Sequence, residues 1–310
     1  MKNANKVSRS FQHMILLCGC LLIYYSVSAR QHKPTESGYI AQKTQGIDSD
    51  YVLIFNSYSE SAPWCRSLVD STVMDLIKLS PQTMTVTQNL NSGLLRDEKA
   101  LAQLRQQVDV SYHDKPRMII YIGSTSWPFL HETIEKKWGK VPSIIFSDID
   151  YTGPIANLLR KTPIAPALRI PYDKIVKEYE GALSVVYMPI YLRQSLALMH
   201  QLTPPMTELC FISDTRWISA QMRADMAAIT KTDFPELKVR YLISADMSTL
   251  DLLDSLQHYG QETGVLFFSW LKQSQVGDSF VNDSHFRTII SKSARQPLFV
   301  LNDNEVNTDS

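Results

Sequence analysis

Small hydroxyl, acidic and aromatic residues follow most of the short apolar segments in this sequence. Those whose chemistry suits ligand binding are Ser57, Tyr58, Trp64, Ser124, Thr125, Trp127, Asp148, Asp214, Trp217 and Ser269. Hydroxyls and carboxylates hydrogen-bond a small polar solute, while Tyr and Trp rings pack against its apolar surface. Each residue alone also has a structural explanation, because Ser, Thr and Asp commonly cap helices and Trp is often buried in a core. The recurrence of the pattern in both halves predicts a binding cleft for a small polar solute.

The segments that must position these residues alternate between two patterns. Residues 51–55 and 118–122 are short, continuous apolar runs, typical of strands buried on both faces of a parallel sheet. Segments with apolar residues at helical spacing, such as 64–79, follow these runs. The alternation predicts an α/β fold of two lobes, each a parallel sheet with helices on both faces. Ligands meet such sheets at the carboxyl ends of the strands, where the residues above occur.

The pattern divides the folded chain into a first lobe, residues 51–185, and a second lobe, residues 186–310. Five prolines interrupt the alternation between residues 151 and 189, which predicts a connecting region in place of another strand and helix. A helix is expected after Ser248, because Asp251 stands three residues later as in a capping box. In the second lobe, the pattern predicts a helix at 190–202. It predicts strands at 209–212, 239–243, 265–268 and 298–300.

The first 29 residues have the pattern of a secretory signal peptide. Lys2, Lys6 and Arg9 precede an apolar run of 12 residues, and small residues follow it. The run is shorter than the roughly 20 residues of a membrane-spanning helix, and an uncleaved anchor is the alternative. Residues 30–50 are polar and predict a flexible leader. This N-terminus predicts export to the periplasm or to the outer face of the inner membrane.

The composition argues against several classes of protein. The chain has 31 basic and 31 acidic residues, and a formal charge of zero does not suit a nucleic-acid partner. Its His and Cys residues lack the spacing of a transition-metal site and no glycine-rich phosphate loop occurs, so we expect no metal and no cofactor. Beyond the predicted signal peptide only Cys65 and Cys210 remain. We expect two separate buried thiols, because these residues lie in different lobes.

The opening of the folded part resembles a known family. Residues 51–64 read YVLIFNSYSESAPW, and an apolar strand followed by Asn-Ser-Tyr and then Pro-Trp is typical of the type I periplasmic-binding domain. This domain occurs in ABC-type substrate-binding proteins and in the extracytoplasmic sensor region of two-component histidine kinases. Segments of the second half, such as 196–204 and 210–214, are similar as well. The resemblance spans residues 51–301, and the sensor version is the closer one.

This resemblance implies two lobes that are joined by crossing strands and close on a small molecule. It places Ser57, Tyr58, Trp64, Ser124, Asp148, Asp214 and Ser269 at cleft positions. It implies a ligand-sensing region that signals by lobe closure and is not itself an enzyme, with an ABC uptake protein as the alternative. The partners it implies are a small polar solute, a second copy of the chain, and a membrane reached through the N-terminus or a C-terminal anchor. The family normally continues after residue 303 with segments that return to the first lobe, and we expect that return to be missing here.

A second resemblance keeps an enzymatic alternative open. Asp148-Ile-Asp150-Tyr-Thr152, after an apolar strand, resembles the signature of haloacid-dehalogenase-type phosphatases. In those enzymes the first Asp attacks phosphorus and the second is a general acid. The strand is the fourth of this chain rather than the first, and no Lys stands in a matching context. Ligand binding or helix capping is therefore the favoured role of the two acids.

Overall fold

The computed structural model describes residues 51–59, 63–203, 206–274, 277–279 and 284–301. The predicted signal peptide, the leader at 30–50 and residues 302–310 lie outside the described residues. In the described part, the chain forms two main parallel sheets with helices packed against them, which confirms the predicted α/β class. Within these ranges, none of the helices combines the length and the apolar character that a bilayer crossing requires.

The first sheet is built from parallel strands of the first half. They are β1 (Tyr51–Asn56), β2 (Met84–Asn89), β3 (Met118–Ile122), β4 (Ser143–Ser147) and β7 (Leu183–Tyr187). The strand order is β2-β1-β3-β4-β7, so that β1, β3 and β4 lie inside the sheet. Residues 51–55 are at most 3% exposed. The continuous apolar run therefore forms a strand buried on both faces, as predicted.

The strand β7 lies within the region that was predicted to be only a connection. It pairs in parallel with β4 at the edge of the sheet, where Leu183 is buried and its other four residues are partly or largely exposed. The same region forms a short antiparallel pair, β5 (Tyr151–Thr152) with β6 (Ile170–Pro171). The prediction of a purely connecting region was wrong, because an edge strand needs no continuous apolar run and the prolines dominated the local pattern.

The second sheet is built from parallel strands of the second half. They are β8 (Glu208–Ser213), β9 (Lys238–Ile243), β10 (Thr263–Phe267) and β13 (Leu298–Val300). The order is β13-β10-β8-β9, which confirms the strands predicted there. An antiparallel hairpin, β11 (Lys272–Ser274) with β12 (Gly277–Ser279), follows β10. The backbone of β12 lies against the 3₁₀ turn Ser92–Leu94 of the first half.

Helices connect the strands and cover the two sheets. In the described residues they are α1 (Pro63–Leu79), α2 (Glu98–Ser111), α3 (Ser126–Trp138), α4 (Ile155–Arg160), α5 (Tyr172–Glu178), α6 (Leu192–Leu202), α7 (Trp217–Asp233), α8 (Thr249–His258) and α9 (Ser284–Ser293). The helices predicted at 64–79 and 190–202 are confirmed as α1 and α6. Two of the helices, α3 and α7, begin directly after β3 and β8, and their first turns carry the residues of the site described below.

One hydrophobic core extends from the first sheet to the second. It includes Phe55 and Tyr121 in the first sheet, Leu158 and Ile164 in the segment between β5 and β6, and Phe211 in β8. All five side chains are at most 3% exposed. The segment between β5 and β6 therefore belongs to the core that joins the two sheets.

A buried polar contact attaches this segment to α7. The fully buried Gln221 accepts a hydrogen bond at Oε1 from the Ile164 backbone N–H at 2.7 Å, and its Nε2 donates to Asp225 Oδ1 at 3.1 Å. Asp225 also forms an ion pair with Arg169. Pulling the segment from α7 would leave buried polar groups unpaired, at a cost of about 1–3 kcal/mol for each group. We expect the segment and α7 to move as one body.

Cys65 and Cys210 are both buried free thiols, as predicted. They lie in α1 and β8 and belong to separate hydrophobic clusters. Burial raises the pKa of the Cys210 thiol to about 11, and it raises the pKa of the Cys65 thiol well above its usual range. Both thiols are therefore protonated at neutral pH and act as small core residues.

The helix α8 begins with the predicted capping box. The Asp251 N–H donates to Ser248 Oγ at 3.1 Å, and the Ser248 N–H donates to Asp251 Oδ2 at 3.0 Å. Ser248→Ala is expected to lower the free energy of unfolding by about 1 kcal/mol, as measured by urea denaturation. The control is Ser255→Ala in the same helix, where the hydroxyl only donates to the Asp251 carbonyl. We expect that control to change stability by less than about 0.5 kcal/mol, and an equal effect of the two variants would contradict the capping role.

Candidate functional site

A small cavity lies where the carboxyl ends of strands from both sheets meet. Its wall is formed by Tyr58, Ser92, Gly93, Ser124, Thr125, Leu158, Lys161, Arg216, Trp217 and Ile218. The cavity measures about 20 Å³, which is room for about one water molecule. Among the residues predicted from the sequence, Tyr58, Ser124, Thr125 and Trp217 lie in this wall. The structure thus brings predicted residues of both halves together.

The topology of the sheets explains why these residues meet. Tyr58 and Ser124 follow β1 and β3, which are neighbours inside the first sheet, and Trp217 follows β8, which lies inside the second sheet. Parallel strands end at the same edge of a sheet, so the loops after them share one surface. The wall therefore combines hydroxyls from the first sheet with an indole and a guanidinium from the second.

Tyr58 links the cavity wall to the predicted acid Asp148. The Tyr58 side chain is buried, and its phenol donates a hydrogen bond to Asp148 Oδ2 at 2.9 Å. Burial, and then the negative charge of Asp148, raise the pKa of the phenol well above its usual range, although the Arg216 cation acts in the opposite direction. The phenol keeps its proton at neutral pH and holds the carboxylate. Asp148 thus lies behind Tyr58 rather than in the wall itself.

Arg216 reaches from the second sheet to the first. Its guanidinium carbon lies 5.3 Å from the centre of the Tyr58 ring, within the range of a cation–π contact. The fully buried Asp214 accepts hydrogen bonds from the Arg216 backbone N–H at 2.9 Å and from Nε at 2.8 Å. Burial lowers the pKa of the guanidinium, but Asp214, Tyr58 and Asp148 raise it, and the net pKa lies above its ordinary value. Arg216 is therefore a fixed cation in the cavity wall, and Asp214 is the residue that holds it.

Lys161 is a second cation in the wall, and the end of α4 positions it. Its φ of 55° places the backbone in the left-handed region, which is uncommon for residues other than glycine. Its Nζ donates to the Gly93 carbonyl at 2.7 Å. This contact joins the segment between β5 and β6 to the turn after β2. Two parts of the cavity wall that are far apart in the sequence are thereby held together.

Ser57 lies beneath the cavity and caps α3. The residue is fully buried, and its Oγ accepts hydrogen bonds from the Thr125 N–H at 3.3 Å and the Ser126 N–H at 2.9 Å. Gly123 makes this approach possible, since its φ is +87° and an added Cβ would lie 2.7 Å from Ser57 Cβ. The predicted cleft residue Ser57 thus has the capping role that its residue type also allowed.

Two polar atoms at the site are buried and make no hydrogen bond of normal geometry with the described residues. They are Ser124 Oγ, in the cavity wall, and Asp148 Oδ1, behind Tyr58. Ser124 is 2% exposed. A buried polar atom without a partner costs about 1–3 kcal/mol. A solute that offers a matching polar group would remove this cost.

The structure places the remaining predicted residues outside the cavity wall. Trp64 packs beside the cluster that contains Tyr58. Trp127 stacks on His131 with ring centroids 3.9 Å apart and belongs to the core of the first half. Ser269 lies behind the wall, with its Oγ 3.1 Å from Ser219 Oγ. These three side chains fill the layers around the cavity.

The patterns in the sequence did not single out Arg216, Lys161 or Ser92. Arg216 could have been found, because it stands between Asp214 and Trp217 in a loop that was selected. Lys161 and Ser92 carried no comparable signal. Lys161 ends a short helix in the proline-rich region, and Ser92 lies in the 3₁₀ turn after β2.

The arrangement of Asp148 and Asp150 gives no support to the phosphatase alternative. Asp148 accepts the hydrogen bond from Tyr58, while Asp150 is exposed and its backbone carbonyl accepts from the Tyr172 N–H at 3.0 Å. In the part of the chain that the structure describes, no group of three or more His, Cys, Asp or Glu side chains is arranged to hold a metal ion.

Comparison with known proteins gives similar backbones at low identity. No protein-family model matches the sequence, and no curated protein matches it significantly. Among solved structures, the chain is similar to an ABC domain in complex with L-Trp from Streptococcus pneumonia, with 12% identity over 82% of this chain and 74% of that chain and a TM-score of 0.44. For a conserved domain protein from Vibrio cholerae, the identity is 8% over 83% of this chain and 76% of that chain, and the TM-score is 0.47. For a fatty acid ABC transporter substrate-binding protein from Thermomonospora curvata, the identity is 11% over 81% of this chain and 57% of that chain, and the TM-score is 0.47.

Proposed function

We propose that this chain is a solute-binding protein in which two α/β lobes, residues 51–185 and 186–310, close on a small polar solute. The observation that carries the proposal is the origin of the cavity wall, which takes Tyr58 and Ser124 from one sheet and Trp217 from the other. A concave site with a few placed polar groups and an aromatic side chain suits a small solute. Its position at the carboxyl ends of parallel strands is where α/β sheets bind ligands.

Closure of the lobes follows from the size of the cavity and the contacts around it. A space of about 20 Å³ cannot admit a metabolite, so the contact between Arg216 and the Tyr58 ring must open for a solute to enter. The joint between Gln221 and Ile164 is buried, so the segment between β5 and β6 moves with α7, although it lies within residues 51–185. Opening of the cavity must then also separate Lys161 from the Gly93 carbonyl. A solute that touches both lobes binds the closed form better and shifts the population towards it.

The setting that we propose is extracytoplasmic sensing. The N-terminal pattern of a secretory signal peptide supports export, and the opening at residues 51–64 supports the sensor region of a two-component histidine kinase. The site suits an ABC uptake protein equally well. The neighbouring genome sequence separates the two roles: a downstream membrane segment and kinase supports sensing, and adjacent permease and ATPase genes support uptake.

A screen of the purified chain against metabolites tests the proposed binding. A solute that binds only the folded state raises the melting temperature, and calorimetry then gives its Kd. Tyr58→Phe keeps the ring but removes the hydroxyl that holds Asp148, and we expect it to weaken binding about 10-fold.

The control for this test is Tyr191→Phe, at a tyrosine that is 58% exposed and lies outside the cavity wall. Its affinity is expected to equal that of the unchanged chain. If both Tyr58→Phe and Trp217→Ala bind the solute as tightly as the unchanged chain does, the proposed cleft is wrong.

A further inference from the structure

Two helices begin at the cavity. The Thr125 side chain, at the N-cap of α3, and Trp217, the first residue of α7, both lie in the wall. The helices have 13 and 17 residues, and each N-terminus is the positive end of a helix dipole. In α3 the Thr125 and Ser126 N–H groups already donate to Ser57 Oγ, so the first turn of α7 is the better candidate to receive a ligand group. The N-cap residue of α7, Arg216, has only hydrogen-bond donors in its side chain and cannot cap the helix, and its backbone N–H donates to Asp214 Oδ1 at 2.9 Å. Helix N-termini of this kind favour an anionic group in front of them.

The charged residues of the wall also favour an anionic ligand group. Lys161 and Arg216 line the cavity, and no carboxylate is among the described residues that do so. The carboxylates nearby lie behind the wall, where Asp148 accepts a hydrogen bond from Tyr58 and Asp214 accepts from Arg216. The two acids lie behind the wall, and Lys161 and Arg216 are the cations that line the cavity.

Ser124 supplies an independent observation that points to a ligand. It is 2% exposed and lines the cavity. Its hydroxyl lies close enough to the Tyr58 phenol to lower the pKa of that phenol, but its Oγ makes no hydrogen bond of normal geometry with the described residues. A hydroxyl is both donor and acceptor, and a carboxylate oxygen is a strong acceptor for it. The rest of the wall includes the apolar side chains of Leu158, Trp217 and Ile218.

We propose that the solute is a small carboxylic acid with an apolar body, and that its carboxylate lies between Ser124, Lys161 and the N-terminus of α7. This inference rests on the proposed function and names the class of solute. A carboxylate suits the wall better than a phosphate dianion, because Asp148 and Asp214 stand close behind it and repel a second negative charge. The apolar body packs on Trp217 and Leu158.

The test compares each acid with its primary amide, which keeps the shape of the acid but replaces the carboxylate by a neutral group. The purified chain is screened by thermal shift against amino acids, 2-hydroxy acids and aromatic acids, their primary amides, neutral sugars and nucleosides, and inorganic phosphate. We expect only carboxylates to raise the melting temperature, and the amide of the best binder to bind about 10- to 100-fold more weakly in calorimetry. Equal binding of acid and amide would overturn the inference, as would a preference for phosphate or the absence of any carboxylate binder.

A charge variant tests the role of Lys161. Lys161→Gln is expected to weaken binding of the acid about 10- to 100-fold but to leave binding of the amide nearly unchanged. Lys161→Arg keeps the positive charge and is expected to retain binding of the acid. A merely structural role of the lysine would weaken acid and amide alike, which would overturn the inference. The control is Lys231→Gln, at an exposed lysine in the last turn of α7.

The same screen separates this inference from the proposed function. If a neutral sugar or nucleoside binds and Tyr58→Phe weakens it, the binding cleft stands and the carboxylate assignment fails. If no member of the panel binds, both fail. If acids bind and both Tyr58→Phe and Lys161→Gln weaken them, both are supported.

Discussion

Asp214→Ala is expected to lower the free energy of unfolding by about 3–5 kcal/mol, because it leaves a buried guanidinium without its carboxylate. Asp214 is fully buried, and the Arg216 side chain is 17% exposed. The carboxylate accepts hydrogen bonds from Arg216 and also from Ser219 Oγ at 2.6 Å. Urea denaturation, followed by circular dichroism, measures the loss. Because Asp214 lies outside the cavity wall, we expect it to affect the proposed solute through the position of Arg216.

An exposed ion pair is the matched control for Asp214. Glu180 and Lys140 form a salt bridge of 3.2 Å, with side chains that are 89% and 38% exposed. Glu180→Ala is expected to cost less than about 1 kcal/mol, since solvent already screens both charges. If Asp214→Ala lowers the free energy of unfolding no more than Glu180→Ala does, the buried pair of Asp214 and Arg216 does not stabilise this part of the structure.

Gly123→Ala is expected to lower the free energy of unfolding by about 2–5 kcal/mol and to abolish solute binding. About 1–2 kcal/mol comes from the φ of +87°, which an L side chain rarely adopts, and about 1–3 kcal/mol comes from overpacking. The added Cβ would lie 2.7 Å from both Cβ and Oγ of Ser57 and 3.1 Å from Cε2 of Tyr58. The clash pushes on the residue that caps α3 and on the ring in the cavity wall, so stability and binding fall together.

Gly139 provides the control because its φ is also positive, but no neighbouring atom would crowd an added Cβ. Its φ is +70°, and an added Cβ would meet nothing within 4 Å. Gly139→Ala is expected to cost only the backbone part, about 1–3 kcal/mol for a φ of 70° with a ψ of −163°, and to leave the solute affinity unchanged. Equal losses in stability and affinity for the two variants would show that the contact between Gly123 and Ser57 does not matter to the site.

Much of the fold was predictable because it depends on local patterns. The run at 51–55 is buried on both faces as its continuous apolar sequence requires, and the capping box at Ser248 forms from residues three positions apart. The strand β7 was missed because it is an edge strand with partly exposed residues in a region rich in proline. Its place was decided by pairing with β4 rather than by its own pattern.

The candidate site was predictable only in part. The rule that loops after parallel strands meet ligands found Tyr58, Ser124, Thr125 and Trp217, which line the cavity. The same rule selected Trp127, which turns into the core and stacks on His131. A loop position says which edge of the sheet a residue occupies, but packing decides which way its side chain points.

By itself, the sequence determined most of the alternation of strands and helices, the α/β class and the strand ends at which a site could form, because periodicity and capping act over a few residues. Only the tertiary structure decided which side chains share the cavity wall. Lys161 meets Gly93 from 68 positions away, and Tyr58 meets Asp148 from 90 positions away. Such contacts depend on sheet pairing and on the burial of charge, and no local pattern encodes the distance between residues so far apart in the chain.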